Sequence, residues 1–359
     1  MTASLHHKWL RTIILVIGIT VLNNCKDPIS LKSTPEGGIL VVNGKVSTKP
    51  GPYILNLGYT SADGRKPTPV SGAAVSLLSS NGGHWSYSET QPGEYTLADS
   101  VVSILPGETY HLDISLSDGR NYFSDNEAVP LTTGTTEPHV EFERKKKIEN
   151  DVEITNDVAN VFTDSQLPSS EGPQFFKWDV DEVYMFEQTP IPNPFLGGIP
   201  LPCYVTGYAD PQKITLFSTE NLNIDHIENK LVAVRSIDQS FLARHYFIVN
   251  MSSISRQAYS YWDHVNSLVN RSGSIFDTPP APIVGNIHNA KDESEKVYGY
   301  FEATNTSFAR IYVLKGDIPF TIAFYCNDPA KGVYYQSYPN ECYQCTSLPN
   351  SKLEKPDWF

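Results

Sequence analysis

Short alternations of apolar and polar residues recur along the chain from Ile39 onward. The clearest runs from Tyr110 to Leu116, with apolar side chains at 110, 112, 114 and 116 and polar residues between them. A period of two marks a strand with one buried face. Other strand candidates lie at 39–42, an unbroken apolar run, and at 53–57, 70–78, 85–87, 93–97 and 122–123. Between them stand Asn43-Gly44, Asp63-Gly64, the Asn81 to Gly83 triplet and Asp118-Gly119, all turn formers. Short strands punctuated this often predict a β-sandwich over residues 38–131.

Residues 132–150 are rich in Thr, Glu and Lys and read as a linker. A larger β-rich domain is expected over 151–359, with strand candidates at 175–186, 230–234, 245–249, 297–301 and 309–314. One segment changes period. Between 252 and 270 the apolar residues fall at 254, 258, 261, 262, 265, 268 and 269. That spacing predicts one amphipathic helix, capped by Ser252 or Ser253 and ended near Asn270 to Gly273. Tyr261, Trp262 and Val265 are expected to form its core face. A loop from Pro190 to Pro202 holds five prolines and Phe195.

The N-terminus follows neither period. Lys8 and Arg11 precede an apolar run from Ile13 to Leu22, interrupted by Gly18 and Thr20, and Cys25 follows. A positive region ahead of a short apolar stretch is the layout of an export signal. The stretch is shorter than the roughly 20 apolar residues of a comfortable membrane span. With Leu22 three positions ahead of Cys25, it resembles a bacterial lipobox, although Asn24 stands where a small residue is usual. The expectation is a signal peptide over 1–24, lipidation of Cys25 and a polar tether over 25–37. An uncleaved anchor is the alternative. Either one places the protein at a membrane surface outside the cytoplasm.

Charge excludes one class of partner. The chain carries 27 basic and 40 acidic residues, a net charge of −13, and loss of Lys8 and Arg11 makes it more acidic. No basic stripe is present to neutralise phosphates, so nucleic acid is not an expected partner. The one basic run, Arg144 to Lys147, lies between Glu141, Glu143, Glu149 and Asp151 and reads as a solvated edge. Twenty Tyr, 16 Phe, 26 Pro and 23 Gly suit pleated surfaces joined by many turns. Beyond Cys25, Cys203, Cys326, Cys342 and Cys345 leave an even number for an oxidising envelope. Two disulfides are expected. One disulfide with free thiols, or zinc if Cys203 and Cys326 converge on the Cys342-Tyr-Gln-Cys345 pair, are the alternatives. Four cysteines allow three pairings, and the sequence does not choose among them.

Catalytic patterns are absent from the sequence: no HExxH, no Gly-x-Ser-x-Gly elbow and no P-loop occurs. No cofactor and no metal site is expected. His245 and His264 read as structural. Asp179, Asp181 and Glu182 cluster beside Trp178, and the same-face pair of aspartates reads as a solvated strand face rather than an acid pair. Trp85 and Tyr87, near Asn81 to Gly83, are candidates for an exposed ligand platform, and Phe195 for a partner contact. Asp99-Ser100-Val101 matches a short O-glycosylation pattern, making Ser100 a candidate acceptor.

An ordered series of segments carries a resemblance. The N-terminal half has Leu40 to Gly44, Pro69 to Val75, Gly93 to Tyr95, Pro106 to Tyr110 and Asp118 to Ser124. The C-terminal half has Phe175 to Trp178, His245 to Val249, Gln257 to Tyr259, Trp262, Phe276 to Pro280, Gly285-Asn286, Gly299 to Phe301, Arg310, Cys342 to Thr346 and Lys355 to Trp358. In this order they resemble the domain-of-unknown-function 4249 lipoproteins of Bacteroidota. Cys203-Tyr204 departs from an expected Cys-Trp, and Asp-Trp-Phe ends the chain in place of Asp-Phe-Trp. Residues 38–131 also resemble transthyretin-like and immunoglobulin-like sandwiches, which act as binding or spacer modules. The resemblance implies a noncatalytic outer-membrane lipoprotein, working as accessory or capture partner of a TonB-dependent transporter. A structural or adhesion lipoprotein is the alternative, and an enzyme acting on an envelope polymer a weaker one. The ligand, the displayed membrane face and the oligomeric state stay open.

Overall fold

The computed structural model describes residues 38–61, 66–149, 152–187, 202–270, 283–323, 325–327 and 338–359. The chain is mainly β, with twenty strands and one α-helix among these residues. The organising element is β19, Val297–Val313. Its first half pairs in parallel with β1, Leu40–Ser47, from Leu40↔Val297 to Ser47↔Thr304. Its second half pairs antiparallel with β17, His245–Ser253. One strand thereby joins two groups of strands into a continuous eleven-stranded sheet.

Two smaller sheets pack on this long one. The first group of the long sheet, β1, β2 (Tyr53–Tyr59), β7 (Glu94–Leu97) and β6 (Ser88–Gln91), faces a sheet ordered β18-β9-β8-β4-β5. There β4 is Ala74–Ser79, β5 His84–Ser86, β8 Thr109–Ser115, β9 Asn121–Ser124 and β18 Ile287–Asn289, with β10, Glu127–Ala128, pairing β8. Their shared core includes Val42, Leu55, Leu77, Tyr95, Leu112, Ile114, Ile287, Val297 and Phe301. The strict alternation from Tyr110 to Leu116 is thus the inward face of β8 and the loop that follows it. The second group, β13 (Phe175–Phe186), β14 (Cys203–Tyr208), β17 and the end of β19, faces a sheet of β11 (Thr135–Glu149), β12 (Val152–Gln166) and β16 (His226–Ser236), in that order. Its core holds Phe176, Trp178, Val180, Phe247, Val249 and Met251 against Ala159, Val161, Val232 and Ala233.

Three sequence expectations change. The first sandwich is not complete within 38–131, because β18 and half of β19 supply Ile287, Val297 and Phe301 to its core. A period of two says that a residue is inward, not which distant strand lies beside it. Residues 132–150 are no linker. They supply β11, Thr135–Glu149, paired along its length with β12, Val152–Gln166. Asn43-Gly44 is not a turn but lies inside β1. A Cβ at Gly44 would come within 3.0 Å of the Leu55 side chain, so the glycine serves close packing instead.

The helix α1 spans Arg256–Val269. Its cap is Ser255, whose hydroxyl accepts from the Ala258 amide at 3.0 Å, and not Ser252 or Ser253, which belong to β17. Ala258 is buried, while Tyr261, Trp262 and Val265 are half-buried. Tyr261 stacks on Tyr300 of β19, with ring centroids 4.7 Å apart. The four cysteines form two disulfides, Cys203–Cys345 and Cys326–Cys342. They gather with Phe186 and Val205 into a small core of their own at the end of β13 and β14.

Candidate functional site

Alternation along β19 sets two faces. Val297, Phe301 and Ala303 point into the first core, and Ile311 and Val313 into the second. Glu302, Thr304, Thr306, Phe308, Arg310 and Tyr312 therefore lie on the opposite, back face. Register continues this face across the sheet: Thr306, Ser252 and Lys177 form one row, and Phe308, Asn250 and Asp179 the next. Arg310, Ile248, Asp181 and Tyr208 follow, and Lys45 joins beside Glu302 from β1.

Helix α1 covers one end. Lys177 and Glu302 are almost fully buried there and form an ion pair of 2.7 Å. The indole of Trp262 completes the pocket. Its Nε1 donates to Glu302 at 3.0 Å, and its ring lies 4.2 Å from the Lys177 ammonium. A cation over an aromatic face in a dry site is favourable. Toward the centre, Lys45 donates to Asp179 at 3.3 Å and to Ser252 at 3.2 Å. Burial opposes the Lys45 charge, but Asp179 and Glu302 outweigh it and raise its pKa. Burial likewise works against ionised Asp179, yet Lys177 and Lys45 hold its carboxyl below the usual range. Lys49 donates to Asn250 at 2.6 Å and to Asp181 at 3.4 Å, and Asn250 donates to Asp181 at 2.9 Å. Three lysines thus alternate with three carboxylates, and the ladder is neutral as a whole.

Beyond the ladder the face turns aromatic. Tyr208, Phe308 and Tyr312 are 67%, 40% and 49% exposed. Arg310 lies 4.4 Å from the Trp358 ring and 5.0 Å from that of Phe308. Trp358 and Phe359 cover Val183, Tyr246 and Ile248, closing the far end. Between the helix and this aromatic lid Ser252, Asn250 and Thr306 are buried beneath Lys45 and Lys49, which are themselves partly exposed.

A second charged group sits in the other direction. Buried His245 lies 3.2 Å from Glu182, which also accepts from Arg235 at 2.7 Å. Burial would raise the Glu182 pKa, but His245 and Arg235 keep it low. His245 stacks on Phe241 at 4.1 Å and on Tyr184 at 5.3 Å. It is walled in by rings, and its Nδ1 is buried without a hydrogen-bond partner, so it is packed but not fully satisfied.

The other sequence candidates scatter. Trp85 is half-buried against the first core, and Tyr87 is buried, so the pair forms no exposed platform. The chain crosses there from β5 in one sheet to β6 in the other, and the residue at such a corner points inward. Ser100 lies exposed in a turn after β7. Cys25 and Phe195 fall outside the described residues. Asp179 and Asp181 do share a face, but an ion-paired one rather than a freely solvated one. Lys45, Lys49, Asn250, Glu302, Tyr208, Phe308 and Tyr312 were not singled out by sequence. A signal existed in the polar residues at 177, 179 and 181 within an otherwise apolar run.

Among the described residues no cluster of His, Cys, Asp or Glu is arranged to hold a metal, and no helix is long and apolar enough to cross a membrane. The four cysteines that zinc would have needed are consumed in the disulfides.

Fold and face together define a double β-sandwich on one shared sheet, with an ion-paired and aromatic back face. The chain belongs to the family described as domain of unknown function (DUF4249), whose model matches residues 26–310. The match takes in β1 and β19 as far as Arg310, hence nearly all of the shared sheet. No curated protein matches the chain.

Proposed function

We propose that the protein is a noncatalytic outer-membrane lipoprotein, anchored through Cys25, that serves as accessory or ligand-capture partner of a TonB-dependent transporter. The observation that carries the reading is the exposed aromatic part of the back face. It sets Tyr208, Phe308 and Tyr312 on rigid strands around charges that already neutralise one another. Such a surface suits binding. Aromatic side chains and Arg supply much of the energy at protein interfaces, and paired charges orient a partner without leaving an unpaired ion to bury. The N-terminal pattern ending at Cys25 supports the membrane placement, and the ordered family segments support the transporter link.

The test is affinity isolation of the full-length protein after mild membrane extraction. One outer-membrane barrel protein should co-isolate. Tyr208→Ala with Tyr312→Ala should weaken the complex by about 1–3 kcal/mol, the range of interface hot spots, without lowering the melting temperature. Turnover of a glycan or peptide that Asp179→Asn abolishes would overturn the proposal.

A further inference from the structure

Glu127 of β10 is 3% exposed, and none of its hydrogen-bond partners carries a charge. One oxygen takes hydrogen bonds from Tyr300 and, at 3.3 Å, from Asn286, and the other lies 2.8 Å from the Ser255 hydroxyl, the acceptor within reach of its proton in the neutral acid. These partners come from three places: β19, the segment ahead of β18, and the cap of α1. Ser255 is also the acceptor that caps the helix, so a single hydroxyl links Glu127 to the first turn of α1. That helix in turn carries Trp262 over the Lys177–Glu302 pair.

We propose that Glu127 is a proton-operated latch: neutral, it fastens the first turn of α1 to the first sandwich, and its ionisation loosens that turn and uncovers the Lys177–Glu302 end of the back face.

The surroundings favour the neutral acid. Burial pushes the carboxyl up to about 7, against the hydrogen bonds from Tyr300, Ser255 and Asn286, and Glu302 on β19 adds repulsion. Glu302 itself is held by Lys177. Tyr110 is the register partner on β8, and its own hydroxyl accepts from the Leu105 amide at 3.1 Å. Arg256, the cation nearest in the helix, is turned outward onto Glu220 and the Phe175 ring. His288 on β18 is engaged with Asp125. When the turn opens, Glu127 reaches water and returns to an ordinary carboxyl pKa. The open form therefore binds fewer protons than the closed one between the two values, and opening grows as pH rises through that window. A carboxyl moving between 4.5 and about 7 sets a ceiling of roughly 300-fold on this change.

Hydrogen–deuterium exchange of the full chain, corrected for intrinsic rates, reads the latch directly. Protection of the first two turns of α1 should fall by tens of fold from about pH 5 to about pH 8. In Glu127→Gln it should be flat over the same range. Tyr300→Phe removes a donor that favours the anion, so it should move the midpoint to higher pH, a shift that a purely structural role would not produce. Protection in wild type that does not change with pH, or a change that persists in Glu127→Gln, would overturn the proposal. Neither outcome bears on the transporter reading.

Discussion

At the scale of residues, the Lys177–Glu302 pair is the most buried ion pair of the back face. Both side chains are buried, so removing Lys177 leaves a dry Glu302 with only the Trp262 indole and Lys45, 4.0 Å away, to offset its charge. Lys177→Met should cost about 3–5 kcal/mol, measured by urea unfolding. Adding Glu302→Leu to it should recover most of that, because a hydrophobic pair carries no desolvation penalty. A single variant losing under about 1 kcal/mol would mean that water reaches the site. Little of this was legible in the sequence. Phe175 to Trp178 reads as an apolar strand, and a lone lysine there looks like a polar edge. Its partner lies 125 residues on, and no local pattern encodes that pairing. His245 was legible, since a histidine inside an apolar run is most simply a packed one. Tyr87 was misread because alternation does not reveal where a strand leaves one sheet for another.

At the scale of elements, β19 does what two separate strands were expected to do. The candidates at 297–301 and 309–314 are both strands, and Glu302 to Phe308 between them, polar except at Ala303 and Phe308, continues one into the other. Those residues remain extended because Lys45, Ser47, Ser252 and Thr48 satisfy them. Gly299 is the tight point of this strand. Its φ is +93°, and a Cβ there would overlap the Val42 carbonyl of β1. Gly299→Ala should therefore destabilise the parallel β1–β19 pairing by more than about 2 kcal/mol, through both strain and overlap. Thermal unfolding checks this, and an unchanged melting temperature would show that the strands can part there freely. The helix was found by its 3.6-residue period. Its start was missed because three serines, at 252, 253 and 255, compete as caps, and only tertiary pairing assigns the first two to β17.

At the scale of the whole molecule, the shared strand makes the two sandwiches interdependent. The fragment 38–131 lacks β18 and β19, hence Ile287, Val297 and Phe301 of its own core. Expressed alone, it should lack the dispersed amide spectrum of a folded domain, whereas an independent sandwich would fold. A mainly β chain with a sandwich at its start could be read from alternation and turns, because those are local. The closing of the long sheet, more than 240 residues apart in sequence (Leu40↔Val297), could not, and the back face exists only once that closure is made. Whether this face engages an envelope partner is read most directly by photo-crosslinking in intact cells from a probe at position 208. A crosslink to one outer-membrane barrel protein is expected, absent when the probe is moved to Ile148 at the end of β11. Equal crosslinking from both positions, or none to any barrel from position 208, would contradict the proposal.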